Sequence, residues 1–191
     1  EAIARLDGWL HSGVMSKTSP EGPAFWKAYN DGHYLASFGP DWWANQIADN
    51  ASPDLSGKWA AIPLPLGGEG SVPTSVWGGS GLAIAKFSKQ KELAWEFIKL
   101  AFLDKEMVLK RYEITNQYPA LIPALSDPRL TDAKTKYTEY FSAGEPLGKL
   151  YAGLIPQAPK QNQAWWRHLI GEAWEKYQFD YFEDKISAKQ F

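Results

Sequence analysis

The sequence predicts an α/β fold, because short apolar segments that suit strands alternate with longer segments of helical periodicity. The clearest strand is Leu82–Ala85, which follows a glycine-rich turn and is apolar throughout. His33–Phe38 is a second strand candidate, and it leads into Gly39 and Pro40. The clearest helical region runs from Gln90 to Arg111, where apolar residues recur at spacings of three and four.

Helices are predicted along much of the remaining chain. Gly13 is a plausible terminator for the first one, and Pro40 or Asp41 suits the N-terminus of a helix that begins near Trp43. Between the elements, Lys58–Pro65 lies in a segment rich in proline and glycine, and its prolines restrict it to a sheet edge. The expected helices cover residues 1–11, the region around 25–29, 43–50, 90–111 with a break near 103–104, 130–143 and 161–182.

Composition and motifs exclude several functional classes. The net charge is −2 and the basic residues are scattered, so we expect no nucleic-acid partner. The chain has no cysteine, and its three histidines, His11, His33 and His168, form no ligand-spaced pair, so we expect no metal site. Motifs for nucleotide binding or a nucleophile are also absent from the sequence, so we expect no cofactor and no catalytic residue.

Tryptophan is the unusual component, with ten among 191 residues. Tryptophan is rarely fully buried and its N–H needs a partner, so some of these rings are expected to face a ligand. Trp42–Trp43 follows a predicted strand, Trp77 stands at the comparable place in the next unit, and Trp165–Trp166 begins the last helix. Adjacent residues on a helix point about 100° apart, so one ring of each pair can pack inward while the other faces a cleft.

Polar side chains near these rings complete a site that suits sugars, namely Asp41, Asn45, Ser80, Gln117 and Arg167. Ring faces stack on sugar C–H faces, while polar groups meet the hydroxyls. A glycoside hydrolase would need two carboxyl groups about 5 to 9.5 Å apart across the groove, and among the nearby acids only Asp41 is well placed. A second alternative is a protein-interaction domain whose tryptophans all lie in the core.

Three segments carry a resemblance to a known family: G-K-W-A-A-I-P-L-P, W-G-G-S-G-L-A-I-A-K and S-K-Q-K-E-L-A-W-E-F-I-K. In this order they resemble the family 1 extracellular solute-binding proteins of ABC sugar importers. The similarity extends back through N-D-G-H-Y-L-A-S-F-G-P-D-W-W, and forward through Y-P-A-L-I-P-A-L and P-K-Q-N-Q-A-W-W-R. It therefore covers nearly the whole chain.

The resemblance implies a lobe of the type II periplasmic-binding-protein fold and a function without catalysis. Such a protein captures a sugar or oligosaccharide in an aromatic-lined cleft between two lobes and delivers it to the membrane subunits of an ABC permease. The implied location is extracytoplasmic, either periplasmic or lipid-anchored at the outer face of the cell membrane. A peptide or polyol is the alternative solute.

The resemblance also implies which residues contact the sugar. Trp42 or Trp43, Trp77 with Gly78 and Gly79, and Trp165 would be the contacts. Maltose-binding members of the family carry an aromatic residue where this chain has Asp41, so the choice between Trp42 and Trp43 stays open. Asp41 and Arg167 remain candidates as polar partners of the sugar.

The family further implies a division of the chain, because its members have about twice this length and two lobes. This chain resembles the second half. Residues 1–81 and 121–191 would form the C-terminal lobe, while residues 82–120 would contain the hinge crossing and helices that pack on a missing N-terminal lobe of the same protein. Without that lobe, these helices would expose apolar surface, which favours self-association.

Overall fold

The computed structural model describes residues 2–18, 22–77, 79–160 and 166–190. Within these ranges, the chain forms nine α-helices, three short 3-10 turns and irregular connections. It divides into two compact units, one of Glu1–Phe25 with Gln161–Phe191 and the other of Trp26–Lys160. The helices are α1 (Ala2–His11), α2 (Gly22–Asn30), α3 (Asp41–Asn50), α4 (Lys91–Leu103), α5 (Lys105–Thr115), α6 (Pro128–Thr131), α7 (Lys136–Tyr140), α8 (Leu147–Leu154) and α9 (Arg167–Phe182).

The described residues contain no β-strand, so the structure does not confirm the predicted α/β lobe. His33–Phe38, Lys58–Pro65 and Leu82–Ala85 have no regular structure, and most of their side chains are exposed. An extended segment becomes a strand only when its N–H and C=O groups pair with a neighbouring strand. The backbone N–H of Leu64 donates to the carbonyl of Pro73 at 2.8 Å, which is one bond rather than a ladder.

The predicted break in the long helical region is confirmed at Asp104. The backbone N–H of Asp104 donates to the carbonyl of Lys99 at 3.0 Å, which ends α4. Its side chain accepts from the backbone N–H of Met107 at 3.0 Å, which begins α5. Aspartate is a favoured N-cap because its oxygen satisfies an N–H that has no partner inside the helix. One residue therefore both ends α4 and begins α5.

One buried cluster of the larger unit lies where α5 packs against the segment that contains α6. Gly148 allows α8 to approach α6 closely, because a β-carbon there would lie 2.0 Å from the carbonyl oxygen of Leu130. The buried cluster consists of Val108, Leu109, Tyr112, Ala124 and Leu130, with Tyr118, Leu121, Leu125 and Ala133 packed against it. This cluster supports the end of α5 that faces the start of α3.

Helix α4 is apolar but contributes no buried residue to this cluster. Its exposed apolar side chains are Leu93, Trp95, Phe97, Leu100 and Leu103. The expected division into residues 1–81, 82–120 and 121–191 stays a prediction.

In the smaller unit, polar contacts join residues 7–17 to residues 181–184. The Tyr181 hydroxyl donates to Asp7 Oδ1 at 2.8 Å, and Lys17 Nζ donates to Asp184 Oδ2 at 2.9 Å. His11 Nε2 also lies 3.1 Å from Asp184 Oδ1. In the part of the chain that the structure describes, no helix has the length and apolarity needed to cross a bilayer.

Candidate functional site

A row of aromatic rings leads from the surface of the larger unit into its interior. We call it the aromatic row. The exposed fraction falls along it from 67% at Trp77 to 42% at Trp42 and 1% at Tyr29. Successive ring centroids are 6.5 Å apart for Trp77–Trp42, 6.1 Å for Trp42–Trp43, 6.0 Å for Trp43–Trp26, 5.6 Å for Trp26–Tyr29 and 5.1 Å for Tyr29–Trp59. These separations are typical of packed aromatic pairs.

The two tryptophans at the start of α3 have different environments. The indole N–H of Trp43 donates to Ser37 Oγ at 3.0 Å, and the Tyr29 hydroxyl donates to the same oxygen at 2.6 Å. Trp43 is therefore held beside the buried part of the aromatic row. Trp42 lies one residue earlier on the helix, about 100° around it, and stays exposed beside Trp77. We call Trp42 and Trp77 the tryptophan ledge.

Gly39 makes the position of Trp43 possible. A β-carbon at residue 39 would lie 2.4 Å from Trp43 Cβ, Cγ and Cδ1. Atoms do not approach so closely without displacement, so only glycine fits here unless Trp43 moves. Pro40 then precedes the first residue of α3, and its extended backbone sets the direction of the helix.

The polar residues Asp41 and Asn45 lie one turn apart on α3 and meet the end of α5. Asp41 Oδ2 accepts from the backbone N–H of Tyr118 at 2.9 Å. Asn45 Nδ2 donates to the carbonyl of Thr115 at 2.6 Å, and Asn45 Oδ1 accepts from Asn116 Nδ2 at 2.9 Å. The sequence predicted Asp41 and Asn45 as partners of a ligand, and the structure gives both of them partners within the protein.

Burial and the negative charge of Asp41 both raise the pKa of two tyrosines, Tyr112 and Tyr151. Burial raises the pKa of Tyr112 to about 12, and the negative charge of Asp41 adds to this effect. Burial also raises the pKa of Tyr151, with Asp41 and Tyr112 as the further causes. Both phenols therefore stay neutral at physiological pH. The Tyr112 hydroxyl is buried, and among the described residues it has no hydrogen-bond partner.

The remaining predicted contacts are only partly described. Gly79 is exposed, with a φ of 146° that glycine adopts readily. Gly78, Trp165 and the side chain of Arg167 lie outside the described residues. No group of three potential metal ligands occurs among the residues that the structure describes.

Sequence reasoning missed Ser37, Tyr112 and Tyr118. Ser37 is a polar residue inside a predicted strand, and this pattern does not indicate that its hydroxyl would orient a tryptophan. Tyr112 lies in a helix with an ordinary amphipathic pattern, and its closeness to Asp41 arises only from packing. Tyr118 contributes a backbone N–H to the site, and a backbone group leaves no mark in the sequence.

Comparison with known proteins gives one family and two relatives. The Arabinooligosaccharide-binding protein of Bacillus subtilis (strain 168) is 34% identical over 115 residues, which are 60% of this chain and 26% of that protein. The Arabinooligosaccharide-binding protein of Halalkalibacterium halodurans is 30% identical over 95 residues, or 50% of this chain and 21% of that protein. No solved structure matches the chain significantly.

The matched residues thus span only about a quarter of the first relative and a fifth of the second. The family model described as bacterial extracellular solute-binding protein matches residues 1–141, which contain the whole aromatic row and the polar residues at the start of α3. Since that match covers well over half of the 191 residues, the chain belongs to the bacterial extracellular solute-binding protein family.

Proposed function

We propose that the chain is part of the carbohydrate-binding component of an ABC importer, with the tryptophan ledge as the surface on which the sugar stacks. The observation that carries this proposal is the exposure of Trp42 and Trp77 beside rings that are otherwise packed inward. Keeping two indole rings exposed costs hydrophobic free energy that burial would recover. A flat apolar sugar face would cover these rings and remove that cost.

The ligand class that we propose first is an arabino-oligosaccharide, because both relatives are named as binding that class. The Trp43 ring packs against that of Trp42, and Gly78 and Gly79 would add contacts to the sugar. The sugar contacts expected of Trp165 and Arg167 stay predictions. A peptide or a polyol remains the alternative solute.

Membership of an extracellular family indicates a location outside the cytoplasm. We propose that the protein is periplasmic or lipid-anchored, and that it delivers its sugar to the membrane subunits of a permease. The exposed apolar side chains of α4 support a further proposal, that this part of residues 82–120 packs on an N-terminal lobe, whereas α5 packs inside the larger unit. In that assembly, segments such as Leu82–Ala85 would find the partners needed to form strands of an α/β lobe.

The test is a titration of the intrinsic tryptophan fluorescence of the full-length protein, with both lobes present, with arabinotriose and with a panel of other saccharides. Trp42→Ala and Trp77→Ala are expected to abolish or strongly weaken a saturable change. Trp9→Ala is the matched control, because Trp9 is 52% exposed and lies on α1. Equal loss of binding in the control and the ledge variants would contradict the assignment of the ledge.

A glycoside hydrolase is the enzymatic alternative, although the family and the names of the relatives point to a binding role. We propose that the chain has no catalytic activity. Incubation with chromogenic arabinosides tests this, and turnover above that of a heat-denatured sample would refute it. Catalysis would also require a second carboxyl group opposite Asp41.

A further inference from the structure

The first turn of α3 receives no side-chain hydrogen bond from its N-cap residue. Pro40 occupies the N-cap position and makes no side-chain hydrogen bond to the first turn. The first N–H groups of a helix have no partner inside it, so an uncapped first turn frays easily. Trp42 lies in this turn, so its orientation depends on whatever else holds the turn in place.

Three hydrogen bonds tie α3 to residues 115–118, which we call the exit segment because they leave α5. Asp41 accepts from the backbone N–H of Tyr118, while the amide of Asn45 donates to the carbonyl of Thr115 and accepts from Asn116. Asp41 and Asn45 are four residues apart and so share one face of the helix. One face of α3 is therefore attached to the exit segment along a full turn.

The exit segment has a defined shape to which α3 can be attached. Asn116 adopts the left-handed conformation, with φ 52° and ψ 18°, and ends α5 by donating its backbone N–H to the carbonyl of Tyr112 at 2.7 Å. Asn116 is buried, and asparagine tolerates this conformation better than most residues. The Asn45 amide adds a cap from outside the helix by satisfying the carbonyl of Thr115.

We propose that Asp41 and Asn45 are positioning residues, which hold the first turn of α3 against the exit segment and thereby orient Trp42 for the sugar. The sugar-binding part of this inference rests on the proposed function. Asp41 acts by accepting a hydrogen bond from the backbone N–H of Tyr118. Its negative charge makes no contact with the sugar in this proposal. This assignment replaces the direct sugar contact that the sequence suggested for Asp41.

The pair Asp41→Asn and Asp41→Ala separates a role in accepting the Tyr118 hydrogen bond from a role of the negative charge in contacting the sugar. Asparagine keeps an oxygen that can accept from Tyr118 but loses the charge, whereas alanine loses both. We expect Asp41→Asn to bind arabinotriose like the original protein, and Asp41→Ala to bind about three- to tenfold more weakly, the effect of one hydrogen bond. Asn45→Ala tests the second attachment without altering Asp41, and we expect a similar loss.

A readout that needs no sugar is the indole N–H resonance of Trp42 in a ¹H–¹⁵N spectrum, assigned by its absence in Trp42→Phe. We expect this resonance to shift in Asp41→Ala and Asn45→Ala and to stay in place in Asp41→Asn. Lys136→Ala is the matched control, because it removes the 2.6 Å ion pair between Lys136 Nζ and Asp49 Oδ1 at the other end of α3. The Trp42 resonance is expected not to move in this control.

Two outcomes would overturn the inference. The first is an unmoved Trp42 resonance in folded Asp41→Ala and Asn45→Ala. The second is loss of sugar binding in Asp41→Asn with the resonance unmoved, which would make the Asp41 charge a direct ligand contact. If no saccharide binds the full-length protein with both lobes, the proposed function fails, and the resonance in the free protein still decides the positioning role.

Discussion

Replacing Gly39 with alanine tests whether close packing fixes Trp43 beside the start of α3. The new β-carbon would lie 2.4 Å from three atoms at the near end of the Trp43 side chain. Rotation of the Trp43 side chain would move Cγ and Cδ1 but not Cβ, which is fixed to the helix backbone, so the backbone at residue 39 or the first turn of α3 must shift. Overpacking costs about 1–3 kcal/mol, while the lower entropy of the unfolded alanine chain recovers about 0.4–1 kcal/mol. The difference of these two ranges runs from about 0 to about 2.6 kcal/mol, and because the contact includes the fixed Trp43 Cβ we expect a net loss of about 0.5–2 kcal/mol in the free energy of unfolding.

The assay is urea unfolding followed by far-UV circular dichroism. With a slope of about 2 kcal/mol per molar, this loss lowers the midpoint by roughly 0.25–1 M. Gly153→Ala is the control, because no atom lies within 4 Å of the added β-carbon and α8 is helical there. Alanine is the better helix former, so we expect an unchanged or slightly higher midpoint for the control. A Gly39→Ala midpoint equal to that of the original protein would refute the packing argument.

Two further predictions concern the larger unit. Gly148→Ala places a β-carbon 2.0 Å from the carbonyl oxygen of Leu130, a backbone atom that cannot rotate away. We therefore expect the free energy of unfolding to fall by about 3 kcal/mol or more, with a clearly lower melting temperature. An unchanged melting temperature would show that α6 and α8 are not packed so closely. Hydrogen bonds from Arg129, and to a smaller extent from Lys105, hold the pKa of the Asp127 carboxyl far below its usual 3.8. Ionised Asp127 therefore stabilises the fold above about pH 4, and this stabilisation is lost as the pH falls through the lowered pKa. Denaturation measured from pH 6 to 2 is expected to be less pH-dependent in Asp127→Asn, and parallel curves for the two proteins would contradict this role.

Helix positions and their ends were largely predictable because they depend on local chemistry. Asp104 is an aspartate between two periodic segments, and it caps α5 as the pattern indicates. The helix expected from Trp43 begins two residues earlier, at Asp41 after Pro40. The region expected to be one helix over residues 130–143 instead contains the short helices α6 and α7. Thr135 caps α7 through its side chain and begins a new helix there.

Strands were not predictable in the same way, because a strand is stabilised by a partner that is distant in the chain. Leu82–Ala85 has the composition of a buried strand, yet Leu82 is exposed and the segment has no regular structure. An apolar segment of four residues carries no information about which other backbone will pair with it. The fold class therefore depends on contacts that the local pattern does not contain.

The family was predictable from ordered motifs between residues 30 and 125, which lie inside the range that the family model matches, and the tryptophan content led to the prediction of a sugar site. The sequence could not decide which tryptophans face outward, because adjacent rings differ only in their angle around the helix. Tertiary structure decided this by placing Ser37 and Gly39 beside Trp43 and leaving Trp42 exposed. It likewise brought Asp41 to the backbone of Tyr118, 77 residues away in the chain. Such contacts follow from how helices pack together, and no local pattern encodes them.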